Sequence, residues 1–211
     1  MAKEIVKENY VPMTLFVGMG GIGSRIIKGV AEKCRGSEND NINFVVLDTN
    51  VNDLSNVKKS GKKIYYVQTS NTKSVGDYLK HDEDALQNWF PRNSVMYSKT
   101  VSEGAGQVRA ISRLALNSTI KLGRMAPLYA AIDDLFRKTG KDLNQALRVV
   151  CAASATGGTG SGMTLPLTMF IRNYVNEKYP NSAVIIRGML LLPEVLDKEI
   201  KSLTEKNSLR R

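Results

Sequence analysis

The chain has 211 residues, 42% of them hydrophobic, and a formal net charge of +10. That length and composition suit one globular domain with a substantial core. No apolar run reaches the ~20 residues that a membrane-spanning helix needs, and Met1 to Tyr10 is too polar for a secretory signal, so a cytoplasmic protein is expected. Cys34 and Cys151 fall in predicted helix and strand and are expected to be reduced packing residues. The positive charge is dispersed, from Lys58-Lys59 and Lys62-Lys63 through Arg109, Arg113, Lys121 and Arg124 to the Lys201–Arg211 tail. No basic block is interleaved with aromatics, so a solvated face is expected and no specific nucleic-acid site. The single histidine, His81, sits in a polar segment and promises neither a metal site nor a catalytic triad.

In chain order, a buried strand is predicted over 13–18. Gly18-Met19-Gly20-Gly21-Ile22-Gly23-Ser24 follows it, and Ile26, Ile27, Val30 and Ala31 then recur at helical spacing, predicting a helix over 23–34. A G-x-G-x-x-G turn of this kind fits NAD, FAD or ATP sites, and also plain strand–helix packing. A second strand, 43–48, ends on Asp48-Thr49-Asn50, a run that favours Asx-turns and caps. A third strand is predicted over 63–67. A helix over 75–90 stops before Pro91, and 91–102 reads as irregular. Ser102-Glu103-Gly104-Ala105-Gly106-Gln107 opens a helix over 107–122, and another follows over 126–139. A strand over 147–154 runs into Thr156-Gly157-Gly158-Thr159-Gly160-Ser161-Gly162 and a helix over 161–178, where Pro166 predicts a kink or a late start. A strand over 183–192 and a helix over 195–206 complete the pattern. Strands alternating with helices predict an α/β, Rossmann-like three-layer domain with a mostly parallel sheet. Its ligands would bind beyond the carboxyl ends of the strands. The expected organisation is an N-terminal extension over 1–12, the domain over 13–206, and the start of a further segment over 207–211.

The Thr156–Gly162 run carries the chemistry. Glycines let successive N–H groups face one anion, and the following helix adds the positive end of its dipole. Thr159 and Ser161 add hydroxyls. No Walker lysine follows, so this is a phosphate cradle of another kind. Three small-residue segments, each at a helix start, exceed what packing is expected to require.

These residues resemble the tubulin/FtsZ superfamily of GTP-binding filament proteins. Gly18 to Ser24 resembles the family's first phosphate loop, and Asp48-Thr49-Asn50 its second. Gly104-Ala105-Gly106 resembles the third, which in the family meets the γ-phosphate. Thr156 to Gly162 resembles the defining G-G-T-G-[ST]-G loop. The form Gly104-Ala105-Gly106-Gln107-Val108-Arg109, with Arg113-Leu114-Ala115-Leu116 after it, is most similar to the bacterial tubulin-like branch. The resemblance implies GTP or GDP with Mg²⁺, and filament formation by self-association. It implies nucleotide contacts from Gly20, Gly21, Ile22, Gly23, Ser24 and Arg25, and from Asp48, Thr49 and Asn50. Further contacts are implied from Gly104, Ala105, Gly106 and Gln107, from Thr156, Gly157, Gly158, Thr159, Gly160 and Ser161, and from Pro193 and Glu194. No direct protein ligand to the metal is expected; Asp48 would reach it through water. Three departures bear on activity. Thr156 stands where the family has Gly, Ala or Ser, and Arg25 where FtsZ has Asn. The chain stops at Arg211, about where the family's central helix begins, and holds no N-x-D-x-x-D-like acidic loop. A GTP-binding part of a longer GTPase is therefore expected, with little hydrolysis on its own. Residues 15–57 also resemble the ThiF/MoeB adenylating enzymes, although Lys58-Lys59 replaces that family's Arg-Gln and its Cys-x-x-Cys pairs are missing. A plain Rossmann dinucleotide module is the remaining alternative.

Overall fold

The computed structural model describes residues 12–34, 41–58, 63–70, 73–102, 104–138 and 146–192. Its centre is a five-stranded sheet in the order β3-β2-β1-β4-β5. The strands are β1 (Thr14–Met19), β2 (Ile42–Asp48), β3 (Tyr65–Gln68), β4 (Leu147–Ser154) and β5 (Val184–Leu191). Every pairing is parallel; Phe16 sits level with Phe44 on one side and Val150 on the other. The near-continuous apolar runs of β1, β2 and β4 follow from this, because central parallel strands are covered on both faces.

Alternation along β2 shows the two layers. Phe44 and Val46 face α1 (Gly20–Lys33) and α2 (Val51–Lys58), in a cluster with Ile27, Ala31, Leu54 and Val57. Val45 and Leu47 face the other way, into the main core. That core is built from α6 (Ala126–Lys138) and α7 (Gly158–Lys178), through Leu128, Ile132, Leu135, Met163, Leu167 and Ile171. A third cluster joins α3 (Val75–Leu79), Phe90 and the inner face of α5 (Arg109–Lys121). Cys151 is buried in the main core, where burial pushes its thiol up to about 12, and Cys34 packs at the edge of the α1 layer. Both act as packing residues. Among the described residues no helix is long and apolar enough to cross a membrane.

The structure departs from the sequence reading in four places. The helix expected over 75–90 is broken. α3 starts on a Ser74–Asp77 capping box and ends at Leu79, and a single π-helical turn occupies Ala85–Trp89, closed by Phe90 N–H donating to Ala85 O at 2.8 Å. The break falls at Asp82, a buried carboxylate that accepts from Ala85 N at 3.2 Å and pairs with Lys121 at 2.9 Å. α2 was not expected at all, since Asp48-Thr49-Asn50 reads as a turn. The same asparagine serves as its N-cap: Asn50 Oδ1 accepts from Asn52 N at 2.9 Å. A one-turn helix, α4 (Ser94–Tyr97), interrupts the stretch 91–102, which reads as irregular in sequence, and is capped by Asn93. Finally, α1 and α7 begin at Gly20 and Gly158, earlier than the predicted 23 and 161. α7 then runs unbroken through Pro166, which lacks the N–H that would bond the preceding turn but does not delay the helix. The predicted helix over 195–206, the terminal segment over 207–211 and most of the 1–12 extension lie outside the described residues.

Candidate nucleotide site

The strand order reverses between β1 and β4. From β1 the chain crosses to β2 on one side, and β4 pairs with β1 on the other. In open parallel sheets, ligands bind in the crevice at such a switch point. Here the crevice is a cleft of about 230 Å³ lined by the starts of α1 and α7. Met19, Gly20, Gly21, Ile22 and Arg25 form one wall, and Ser154 and Gly157 to Gly160 the other.

The two helix starts touch. Gly20 adopts a left-handed φ of 73°, and a Cβ there would lie 3.1 Å from Gly160 N. Neither helix is capped by a side chain: Met19 and Gly157 occupy the N-cap positions, and no acidic residue stands in either first turn. Their first-turn N–H groups therefore retain unmet hydrogen-bonding capacity at a positive dipole end. Three amides next to the cleft are already engaged. Ser154 Oγ accepts from Thr156 N and Gly157 N, each at 3.3 Å. Ser161 N donates to Gly157 O at 3.2 Å. That leaves the amides of Gly158, Thr159 and Gly160 on this side. Ser161 also turns its hydroxyl onto Gly157 O, and it lines a separate groove with Arg109, Arg113 and Leu165 instead of the cleft.

The second and third loops meet the cleft from the side. Asp48 ends β2, almost fully buried. Its Oδ1 accepts from Asn50 N at 3.0 Å, while Oδ2 has no partner among the described residues. Burial pushes its carboxyl up to about 6, Asp53 adds to the rise, and hydrogen bonds from Asn50, Thr49 and Thr159 oppose it. Thr49 Oγ1 and Thr159 Oγ1 share a hydrogen bond of 2.9 Å, which joins the second loop to the fourth. The third loop coils tightly: Gly104, Gly106 and Gln107 all take left-handed φ values, of 106°, 54° and 61°. Gln107 is the only non-glycine among the described residues with positive φ, a conformation held by its surroundings at a cost of order 1 kcal/mol. A Cβ on Gly104 would be 3.9 Å from Asn50, and the Gln107 backbone abuts Gly158. Ala105 points into the α3–α5 core, so only its main chain can face a ligand.

Several glycines serve packing, contrary to the expectation that packing could not account for these segments. A Cβ on Gly23 would lie 2.2 Å from Ala152 O, one on Gly158 2.7 Å from Gln107 Cα, and one on Gly160 2.9 Å from Met19 O. These positions let helix, strand and loop backbones touch. Gly157 differs, because its nearest neighbour to an added Cβ is Ser154 at an ordinary 3.6 Å. Of the remaining expected residues, Ser24 is buried with no partner for its Oγ among the described residues, and Arg25 and Thr156 are exposed. Pro193 and Glu194 lie outside the described residues. Sequence reasoning missed Asp53, whose carboxylate lies against Gly21, and the Ser112 and Arg109 contacts that tie α5 to the fourth loop. A serine and an arginine on a helix carry no local signal of such a role.

Among the described residues no group of three or more His, Cys, Asp or Glu could hold a metal. Asp48 is a buried carboxylate that does not itself line the cleft; its neighbour Thr49 bonds Thr159 on the cleft wall. The fold and cleft define a doubly wound α/β domain with two uncapped helix starts at its switch point. The sequence profile of the tubulin-like family matches residues 15–211, and the chain belongs to that family. The match spans all four loops, whereas the adenylating-enzyme resemblance ends at residue 57. No curated protein matches the chain.

Proposed function

We propose that this domain binds GTP and GDP and serves as the nucleotide-binding part of a filament-forming GTPase of the cytoplasm. The observation that carries the reading is the meeting of the two uncapped helix starts, α1 and α7, at the switch point. Family membership supports guanine nucleotide as the ligand. In this reading the amides of Gly20 to Gly23 and of Gly158 to Gly160 hold the α- and β-phosphates, and the left-handed turn at Gly104–Gln107 meets the γ-phosphate. Asp48 and Asn50 face the ribose, and Asp48 also holds the water shell of Mg²⁺. The metal would neutralise phosphate charge. Hydrolysis needs a positioned water and charge stabilisation more than covalent chemistry. Among the described residues the lining of this cleft holds no carboxylate and no histidine to act as a general base, and the sequence holds no acidic N-x-D-x-x-D-like loop. Little turnover is therefore expected from this chain alone, and self-association would supply the rest of a hydrolytic site. Titration with a fluorescent guanine nucleotide tests the reading. Displacement by GTP and GDP but not by NAD supports it; tight NAD binding that GTP does not displace overturns it.

A further inference from the structure

The third loop leads directly into α5, and the first turn of α5 is fastened to the segment between β4 and α7. The Gln107 backbone lies against Gly158, close enough that a Cβ at 158 would sit 2.7 Å from Gln107 Cα. Arg109 Nη2 donates to Ala155 O at 2.9 Å. Ser112, fully buried on the inner face of α5, has its Oγ 2.7 Å from Gly158 O and 2.9 Å from Arg109 O. Gly162 makes that closeness possible, since a Cβ there would come within 2.0 Å of Ser112 Oγ.

A serine hydroxyl carries one proton. Here it faces two acceptors, one on its own helix and one on the first turn of α7. The local bond to the residue three positions back is the ordinary fate of a mid-helix serine. The bond to Gly158 O reaches across to a different element, and it holds the turn whose amides line the cleft. Nothing in the helix itself requires a hydroxyl at 112, because alanine is the better helix former.

We infer that Ser112 is a positioning residue that makes the third loop and the first turn of α7 move as one unit, so that terminal-phosphate occupancy and the aim of the Gly158–Gly160 amides depend on each other. The inference rests on the nucleotide reading above for its ligand, but the mechanical coupling does not need one. Loss of the cross-helix bond frees the α7 turn while leaving α5 intact. The consequence for a ligand is loss of discrimination: a diphosphate, which does not reach the third loop, is affected less than a triphosphate.

The test compares the parent with Ser112→Ala, a substitution that removes one oxygen and introduces no clash. Amide hydrogen exchange is measured first, without nucleotide. The expected result is at least threefold faster exchange in both 158–161 and 104–108, with exchange in the strands β1 and β4 unchanged. Faster exchange in only one of the two segments, or a uniform rise throughout the chain, overturns the coupling. Dissociation constants for GDP and GTP are then measured on both proteins. The ratio of the GDP to the GTP constant should fall at least threefold in Ser112→Ala. Equal weakening of both nucleotides contradicts the positioning role, because a merely structural defect would do that. If the parent binds neither nucleotide, the functional reading fails, and the exchange experiment still decides the coupling. Arg109→Ala serves as a second variant. It cuts a separate surface link to Ala155 and should change the ratio in the same direction.

Discussion

The helices of this domain begin in two different ways. α3 starts on a full capping box, in which Ser74 Oγ accepts from Asp77 N at 3.2 Å and Asp77 Oδ2 accepts from Ser74. α2 and α4 are capped by Asn50 and Asn93. α1, α5 and α7 begin on Met19, Val108 and Gly157, and none has a side-chain cap. A cap contributes about 1 kcal/mol, so three bare starts cost real stability. They are also the three that follow the glycine-bearing segments, and α1 and α7 share one cleft. α2, α3 and α4 carry side-chain caps, whereas α1 and α7 leave uncovered at the cleft the ends where an anion would take the place of a cap.

The largest effect expected from disturbing this arrangement is on folding. Gly158→Val and Gly160→Val drive side chains into Gln107 and Met19 backbone at 2.7 and 2.9 Å. Each should destabilise by at least about 3 kcal/mol, at the upper end of overpacking costs, visible as an early urea midpoint. Lost binding in these variants would report unfolding and not phosphate contact.

Asp48 comes next. Its carboxyl is raised from 3.8 to about 6 by burial, so the native state holds a proton that the unfolded chain has released. Stability must then fall as pH rises from about 4 to 6, and the penalty is complete above the folded value. Asp48→Asn keeps an acceptor for Asn50 N and removes the charge. It should raise stability at pH 7.5 by about 2–3 kcal/mol, with the gain vanishing near pH 4. A constant gain at every pH would assign the effect to something other than ionisation.

Gly157→Asp separates stability from function. Gly157 has the extended φ and ψ of an N-cap, −69° and 143°, and space for a side chain. Aspartate there should cap α7 and stabilise the nucleotide-free protein by about 1 kcal/mol. The same carboxylate would occupy the anion position, so GTP affinity should drop at least tenfold, about 1.4 kcal/mol. A variant that is more stable and still binds GTP normally would show that the bare end of α7 is not a phosphate site. The smallest effect should come from Ser74→Ala, where loss of an ordinary cap costs about 1 kcal/mol and leaves nucleotide affinity unchanged, by melting and titration respectively.

Much of this was legible in the sequence, and the reasons are local. β1, β2 and β4 are apolar runs bounded by glycine or polar turns, so their type and nearly their ends could be stated. The four loops are short motifs whose order along the chain carries the family resemblance. What could not be seen depended on contacts between distant residues. The break after Leu79 falls at a buried Asp82 paired with Lys121, and nothing near residue 80 announces it. α2 was hidden because an N-cap asparagine and a turn asparagine look alike in sequence. The glycines were over-credited to ligand binding, because close backbone approach at Gly23 and Gly158 can be recognised only once Ala152 and Gln107 are in place. Ser112 was invisible for the same reason.

The central claim is that the bare starts of α1 and α7 hold nucleotide phosphates. Amide chemical shifts followed by NMR during a GTP titration test it most directly, with guanosine as the control. The account predicts large, saturable shifts at Gly20 to Gly23 and Gly158 to Gly160 with GTP, and none at these amides with guanosine. GTP binding that leaves those amides unmoved would contradict it.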